Sequence, residues 1–571
     1  MALSVGVPAD QAPPPQIQAQ TQSATQELPA FRSRITLVPL DVRVLDRDGK
    51  PITDLSRDDF TILENDKPQV IAHFSASGLV AGPPPPRTQN RPALRQAPGA
   101  QFPAARSRTF LLVIGRGRIQ EPFDGIGALI AFVRDRLLPQ DRVAVMAYHR
   151  VTDFTADHEK VVTLLQRIRE RHERIDALLE HYSFGMQAQL ARCKACLPDS
   201  ILPMINELFL FPGALVSREM PQSLGQDEDL FGGLDRRFYD AVLEAELAGG
   251  RAWRTIGDDR IARRAELAGG NSTASFVNES YKTWQDRDKL LNGIAEMRYF
   301  EGEKHIVFVS DQGLFLRSRD QDAAIAKAAS DARIALHTIV TGGIADEIFR
   351  GQVMKNLAAE TGGTASITRY PREALAAVDE ITRFEYLLGY YPDSTAHDGK
   401  FREVKVKVNR PGATVLVRNG YYDEDVIIPA DRAAFVAHQR LASVGNNRDL
   451  IRDVTVSLKA SQARSANKTV QGDVMVEMKV GTTRLAFDLV DGRHVGQVEF
   501  RIYCGDSKEQ IVGQTQGVMR LSLTEATYAK YSRDGIPYVA RVPVTAKPKT
   551  VKVIVYDPTA DLAGSMVAPV R

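Results

Sequence analysis

One stretch constrains the fold more than any other: residues 109–150, read with residues 302–313. It opens with an apolar run, Thr109 to Ile114, followed by the loop Gly115-Arg116-Gly117-Arg118. A segment of helical period, Phe123 to Leu138, leads to a second apolar run, Arg142 to Tyr148. Lys304 to Asp311 repeats the design. Short, continuously apolar strands that alternate with amphipathic helices are parallel strands covered on both faces. The expected class is therefore α/β, a doubly wound, mostly parallel sheet over 109–383. Its strands are expected at Phe110–Ile114, Val143–Tyr148, Ile306–Ser310 and Ala335–Val340, with helices such as Asp322–Ala332 and Phe349–Glu360 between them. Ligands of such sheets sit outside the carboxyl ends of the strands, which singles out the loop after Ile114 and Asp311.

The rhythm is interrupted over about 159–270, which reads as a helical insertion. Its charged run Arg167 to Arg174 reads as a solvated helix face. Cys193 and Cys196 have the C-x-x-C spacing inside this helical stretch. Ordinary thiols, a local disulfide and a redox or half-metal site all remain open for them. The only other cysteine is Cys504, too few for a disulfide scaffold.

The flanks are β-rich. In 31–76, Leu40, Val42 and Val44 alternate with Asp41 and Arg43, a half-buried strand. Ser56 to Asp59 reads as a capping box, and Phe60–Leu63 and Val70–Phe74 as two further strands. About 45 residues make a small core, so this unit is expected to pair with the β unit 384–422 into one sandwich, the α/β unit lying between them. Segment 77–108 is a Pro- and Arg-rich linker without an acidic residue. It is an extended spacer or a binder of an SH3-like partner or an anionic polymer. Residues 423–452 read as a helical connector, and 453–571 as a C-terminal β-sandwich of about seven strands. Residues 1–30 have the composition of a disordered tail.

A charged fraction of 25% and a net charge of +2 give no global argument for nucleic acid or an anionic membrane. No apolar run reaches the ~18 residues of a transmembrane helix. Residues 2–8 are too short and uncharged for a secretory signal, which leaves a cytosolic location or a signal absent from this start. No nucleophile elbow, phosphate loop or zinc-protease motif occurs.

Seven short stretches in fixed order carry a family resemblance: 42–51 (VRVLDRDGKP), 55–60 (LSRDDF), 138–145 (LPQDRVAV), 238–241 (FYDA), 309–313 (VSDQG), 386–390 (YLLGY) and 399–402 (GKFR). Residues 109–381 resemble a von Willebrand factor type A domain. Residues 31–422 resemble the VWFA-related family abundant in acidobacterial proteins. The resemblance implies a non-enzymatic module that binds a protein or other ligand in the cell envelope or outside the cell. It also implies a divalent ion at the carboxyl end of the sheet, held by an Asp-x-Ser-x-Ser loop, a Thr and a later Asp. This chain departs from that pattern. Its first loop holds Arg116 and Arg118, Arg236 aligns where the Thr belongs, and Asp311 alone is kept. The expectation is a degenerate site with no metal and no cofactor. An arginine, with Arg236 foremost, is expected to pair with Asp311, and the spare arginines to favour an anionic group on a partner. A binder of anionic polymers through the linker and the arginine loop is the alternative; an unrecognised enzyme is the third reading.

Overall fold

A computed structural model describes residues 30–31, 37–85, 107–119, 123–183, 197–220, 273–298, 300–314, 319–342, 350–393, 398–423, 428–429, 441, 444, 450–463, 472–507 and 510–571. Residues 1–29, most of the Pro/Arg linker, Cys193, Cys196, Arg236 and most of the 423–452 connector lie outside the described residues. Two compact units are present, one formed by residues 29–430 and one containing residues 431–571.

The first unit begins with β1 (Val38–Leu45), β2 (Phe60–Glu64), β3 (Lys67–Gln69) and β4 (Ile71–Gly78). It continues through β5 (Arg108–Ile114), α1 (Gly125–Asp135), β6 (Arg142–Ala147), β7 (Arg150–Thr152), α2 (His158–Ser183), α3 (Leu202–Phe209), β8 (Ser217–Glu219) and α4 (Thr273–Met297). β9 (Glu303–Ser310), α5 (Arg319–Asp331), β10 (Ile334–Val340), α6 (Arg350–Glu360), β11 (Ala365–Ile367) and α7 (Pro371–Ile381) follow. It closes with β12 (Phe384–Tyr390), β13 (Phe401–Val408), β14 (Thr414–Leu416) and β15 (Gly420–Tyr422).

Seven strands form one mixed sheet in the order β11-β10-β9-β5-β6-β7-β8. The four pairings from β11 to β6 are parallel; those of β7 are antiparallel. Every residue of β5 is buried, and the two-residue period of the strand sorts its side chains. Phe110, Leu112 and Ile114 face a core with α1, α2 and α7. Leu111 and Val113 face a second core with α4, α5 and α6. A strand covered on both faces has no polar alternation, which is why these runs are continuously apolar. Each large side chain taken fully from water contributes on the order of 1.5–3 kcal/mol.

The segment expected as a purely helical insertion also contributes strand β8 at the sheet edge. The short β7 and β8 have no sustained period, and only pairing defines them.

Strands from the two ends of the unit pair with each other. One four-stranded antiparallel sheet runs β14-β1-β12-β4 and another β15-β13-β2-β3. They share a core of Leu40, Val42, Val44, Phe60, Ile62, Tyr386, Leu388, Tyr390, Val404 and Val406. The buried tyrosines are satisfied: Tyr386 Oη donates to Ile52 O at 2.9 Å, and Tyr390 Oη to Glu64 Oε2 at 2.6 Å. Gly78 and Phe384 are registered partners, so the chain leaves for the seven-stranded sheet and returns from it at one place. The polar side of β1 is covered as well. Asp41 pairs with Arg333 at 2.7 Å and Arg43 with Glu385 at 3.7 Å. Burial raises the Asp41 carboxyl, but Arg333 outweighs it and the carboxyl falls to about 2. Ser56 N donates to Asp59 Oδ2 at 2.8 Å, closing the expected capping box.

The second unit has a three-stranded antiparallel sheet, residues 456–463, 473–480 and 536–543, and a five-stranded one built on the hairpin of residues 493–505 and 511–523. Both enclose one core that includes Val476, Phe500, Ile502, Cys504 and Val553. Between residues 481 and 492 strand structure is confined to Asp488–Val490. The helix Glu525–Asp534 and the strand Leu562–Pro569 were not expected from the sequence. That helix buries none of its residues, so it has no apolar stripe to read.

Candidate functional site

Four loops meet at the carboxyl end of the seven-stranded sheet, because β5, β6, β9 and β10 are parallel and in register. Gly115 N donates to Val309 O at 2.8 Å, Thr341 N to Ser310 O at 3.0 Å and Gly342 N to Asp311 O at 2.6 Å. The approach is close enough to exclude side chains. Gly117 has φ +97°, and a Cβ there would lie 2.5 Å from Asp311 Cβ. Glycine is required both for that backbone region and for the space.

Two helices clamp the first loop. From α4, Asp286 accepts from Arg116 N with both oxygens, at 3.0 and 2.9 Å. One turn on, Lys289 Nζ donates to Ile114 O at 2.7 Å and pairs with Asp286 at 2.7 Å. From α2, Asp176 receives the Arg116 Nε and the Gly117 N, the latter at 3.2 Å. His172 Nε2 lies 3.0 Å from Gly117 O, and its Nδ1 3.0 Å from Tyr148 Oη. A carbonyl only accepts, so Nε2 carries the proton and Nδ1 accepts from the tyrosine. Arg116 Nη1 completes the clamp on Gln285 Oε1.

The electrostatics keep this cluster in one protonation state. Burial opposes ionisation of Asp176, but Arg116 outweighs it and holds the carboxyl well below the usual range. Burial depresses His172 against the pull of Asp176, which keeps the ring neutral. Burial and the Asp176 charge push the Tyr148 hydroxyl far up. The tyrosine–histidine pair therefore holds its proton on the phenol and makes no activated nucleophile. Burial lowers Lys289, and Asp286 works against that loss.

A divalent ion does not fit these residues. The first loop offers a guanidinium instead of oxygen ligands, and Asp176 and Asp286 are neutralised by Arg116 and Lys289. Among the described residues no group of three or more His, Cys, Asp or Glu could hold a metal.

The residues singled out by sequence fall in different places. Arg116 is buried and turned toward Asp176, not Asp311. Arg118 is exposed, and Arg236 lies outside the described residues. Asp311 is one residue beyond the end of β9 and half-buried rather than buried. Gly117 and Gly342 flank its carboxylate.

Sequence reasoning missed His172, Asp176, Asp286 and Lys289. A signal existed for the first. Val161, Leu165, Ile168, His172, Ile175 and Leu179 follow helical spacing, and all six are buried. The run 167–174, read as a solvated face, thus has two members in the core, Ile168 and His172.

Beside the clamp lies a narrow cavity, with polar walls of Arg116, Tyr148, Gln285, Asp288, Lys289 and Asn292. Arg116 is 3% exposed, yet its Nη2 has no hydrogen-bond partner among the described residues.

No family model matches the sequence, and no curated protein matches it. Among solved structures, the chain is similar to the crystal structure of the TFIIH p34 N-terminal domain. That match has 13% identity over 48% of this chain and 96% of the other, with a TM-score of 0.19, too low to carry an argument.

Proposed function

We propose that the seven-stranded sheet is a doubly wound fold of the von Willebrand factor type A class flanked by β-sandwiches. We propose further that it serves as a non-enzymatic interaction module in the cell envelope or outside the cell. The strand order supports the fold. The first strand in sequence, β5, is central, the chain winds outward over β6 and β7, then returns to β9 and winds the other way. Chain reversal between β5 and β9 makes a switch point, where ligands of open α/β sheets bind. Among the described residues no helix is long and apolar enough to cross a membrane.

One observation carries the functional reading: a buried arginine, held by Asp176 and Gln285, occupies the loop where the resemblance implies metal ligands. A tethered guanidinium keeps its charge at physiological pH and presents several directed N–H groups. Its Nη2, without a partner among the described residues, is a fixed donor where an ion would otherwise stand, and partner binding becomes independent of metal. Calorimetric titration with Mg²⁺ tests this, with no saturable binding expected in the millimolar range. Tight Mg²⁺ binding abolished by Asp311→Ala would overturn it. Fractionation of the native protein tests the location, and recovery from cytosol alone defeats that part.

A further inference from the structure

The longest strand of the second unit, Ile511–Leu523, lies at the edge of its sheet. It has thirteen residues, about twice the usual length, and pairs along one side with Arg493–Gly505. Along its other side the described residues hydrogen-bond to it at the start, where Thr545 N and Oγ1 donate to Val512 O at 2.8 and 3.1 Å. At the far end Arg493 of the paired strand holds Ser522 O at 2.6 Å, and Thr524 caps the helix Glu525–Asp534. Met519, Leu521 and Leu523 reach the core from the inner face. On the outer face Gln514, Gln516, Arg520 and Ser522 are exposed and Val518 is half-buried. Edge strands are normally blunted by proline, by charge or by a bulge. The other edge strand around this core, Ile536–Pro543, follows that rule with Pro537 and Pro543. Ile511–Leu523 carries no proline, no acidic residue and one cation, Arg520.

Register identifies the strand that fits this edge. Two copies related by a two-fold axis normal to the sheet run antiparallel and keep outer face with outer face, so the residue on the axis meets itself. An axis on Gly517 would bring the copy's Ser522 against Val512, where Thr545 already sits. An axis on Met519 would bring the copy's Thr524, where the helix begins, against Gln514. An axis on Val518 avoids both stops. It sets Val518 against Val518, Gln516 against Arg520 and Gln514 against Ser522, so that apolar meets apolar, amide meets cation and no like charges meet. We propose that the protein forms a two-fold dimer in which the Ile511–Leu523 edges of two copies pair antiparallel, centred on Val518, and join their sheets into one. This association is independent of the sheet-end reading.

One strand edge makes a small interface, so sedimentation of the full chain is expected to show a reversible monomer–dimer equilibrium in about the micromolar range. Gln516→Lys, at an exposed position, sets Lys against Arg520 twice in the dimer and should weaken association about fivefold, whereas Gln516→Glu should strengthen it by about as much. Thermal midpoints of both variants close to wild type establish that the fold is kept. Disulfide capture reads the register. Val518→Cys should cross-link with itself above the background of the wild-type cysteines. Gln514→Cys should cross-link with Ser522→Cys when the two are mixed, and not with itself. A chain that stays monomeric at all concentrations overturns the proposal. So does a dimer indifferent to both Gln516 variants, which would be formed elsewhere, or Gln514→Cys that cross-links with itself as readily as Val518→Cys.

Discussion

Strand β5 is flanked by two buried arginines, Arg108 at its start and Arg116 just past its end, and they are finished differently. At the amino end, Arg108 Nε and Nη2 donate to Asp141, the shorter contact 2.6 Å, and Nη1 reaches Asp379 and Thr382 at 3.0 and 2.8 Å. Every nitrogen of that guanidinium has a partner. At the carboxyl end, Arg116 has partners on Nε and Nη1 but none on Nη2 among the described residues. A fully satisfied buried ion network rigidifies, whereas an open donor leaves its network incomplete. The same residue type is thus fully partnered at one end and keeps one N–H without a partner among the described residues at the other. This agrees with the general placement of ligand sites at the carboxyl ends of parallel strands.

Substitutions at the two ends separate these tasks. Arg108→Met strands Asp141 and Asp379 in the core and should cost about 3–5 kcal/mol, read as a fall in the urea midpoint. Arg116→Met should cost less, about 2–3 kcal/mol, because Asp176 keeps the Gly117 N–H and is nearer solvent. Equal losses would erase the contrast. Gly117→Ala should cost about 1–2 kcal/mol through its positive φ and the clash with Asp311. An alanine variant as stable as wild type would show that the loops are not in this close approach.

The smallest effect is acid sensitivity, and each end of the sheet has a histidine to produce it. His337, hydrogen-bonded to His305 at 3.1 Å, is held well below its usual value by burial first, then by His305 and Arg43. His172 is lowered by burial at the other end. Both folded values lie beneath the unfolded one, so the unfolded chain takes the proton first. The stability is complete above about pH 6.5 and is lost as pH falls. Between about pH 7 and pH 6 the strongly depressed His337 should remove about 0.7 kcal/mol, and His172 less. Thermal midpoints against pH for His337→Gln and His172→Gln measure each share. His337→Gln should flatten the profile more, and a profile unchanged by both would rule out these groups as its source.

What the sequence made legible was periodicity. Continuous apolar runs located β5, β6, β9 and β10, and the alternation of Leu40, Val42 and Val44 located β1. Shorter elements, β7, β8 and β11, are three residues each, below any readable period. In the candidate site the loop itself was legible and its partners were not. Asp176 and Asp286 come from helices about 60 and 170 residues away along the chain, and nothing in local spacing links them to Arg116. Pairing an arginine with Asp311 makes most sense if the strand end is buried. The structure leaves that carboxylate half-buried and sends Arg116 to an aspartate at the core edge, while Arg236, the arginine expected foremost, lies outside the described residues.

The registered pair of Gly78 and Phe384 also decides how the molecule bears tension. A pull applied between Val38 and Tyr422 is carried across the ladders of β1, β12 and β4, which bridge the two ends of the unit. The covalent path into the seven-stranded sheet lies behind that hydrogen-bonded clasp, and before the clasp opens the sheet is loaded only through side contacts such as Tyr422 N to Asp331 and Asp41 to Arg333. Stretching would therefore unravel the paired sheets before it distorts the loops around Arg116, and the site would keep its shape under strain.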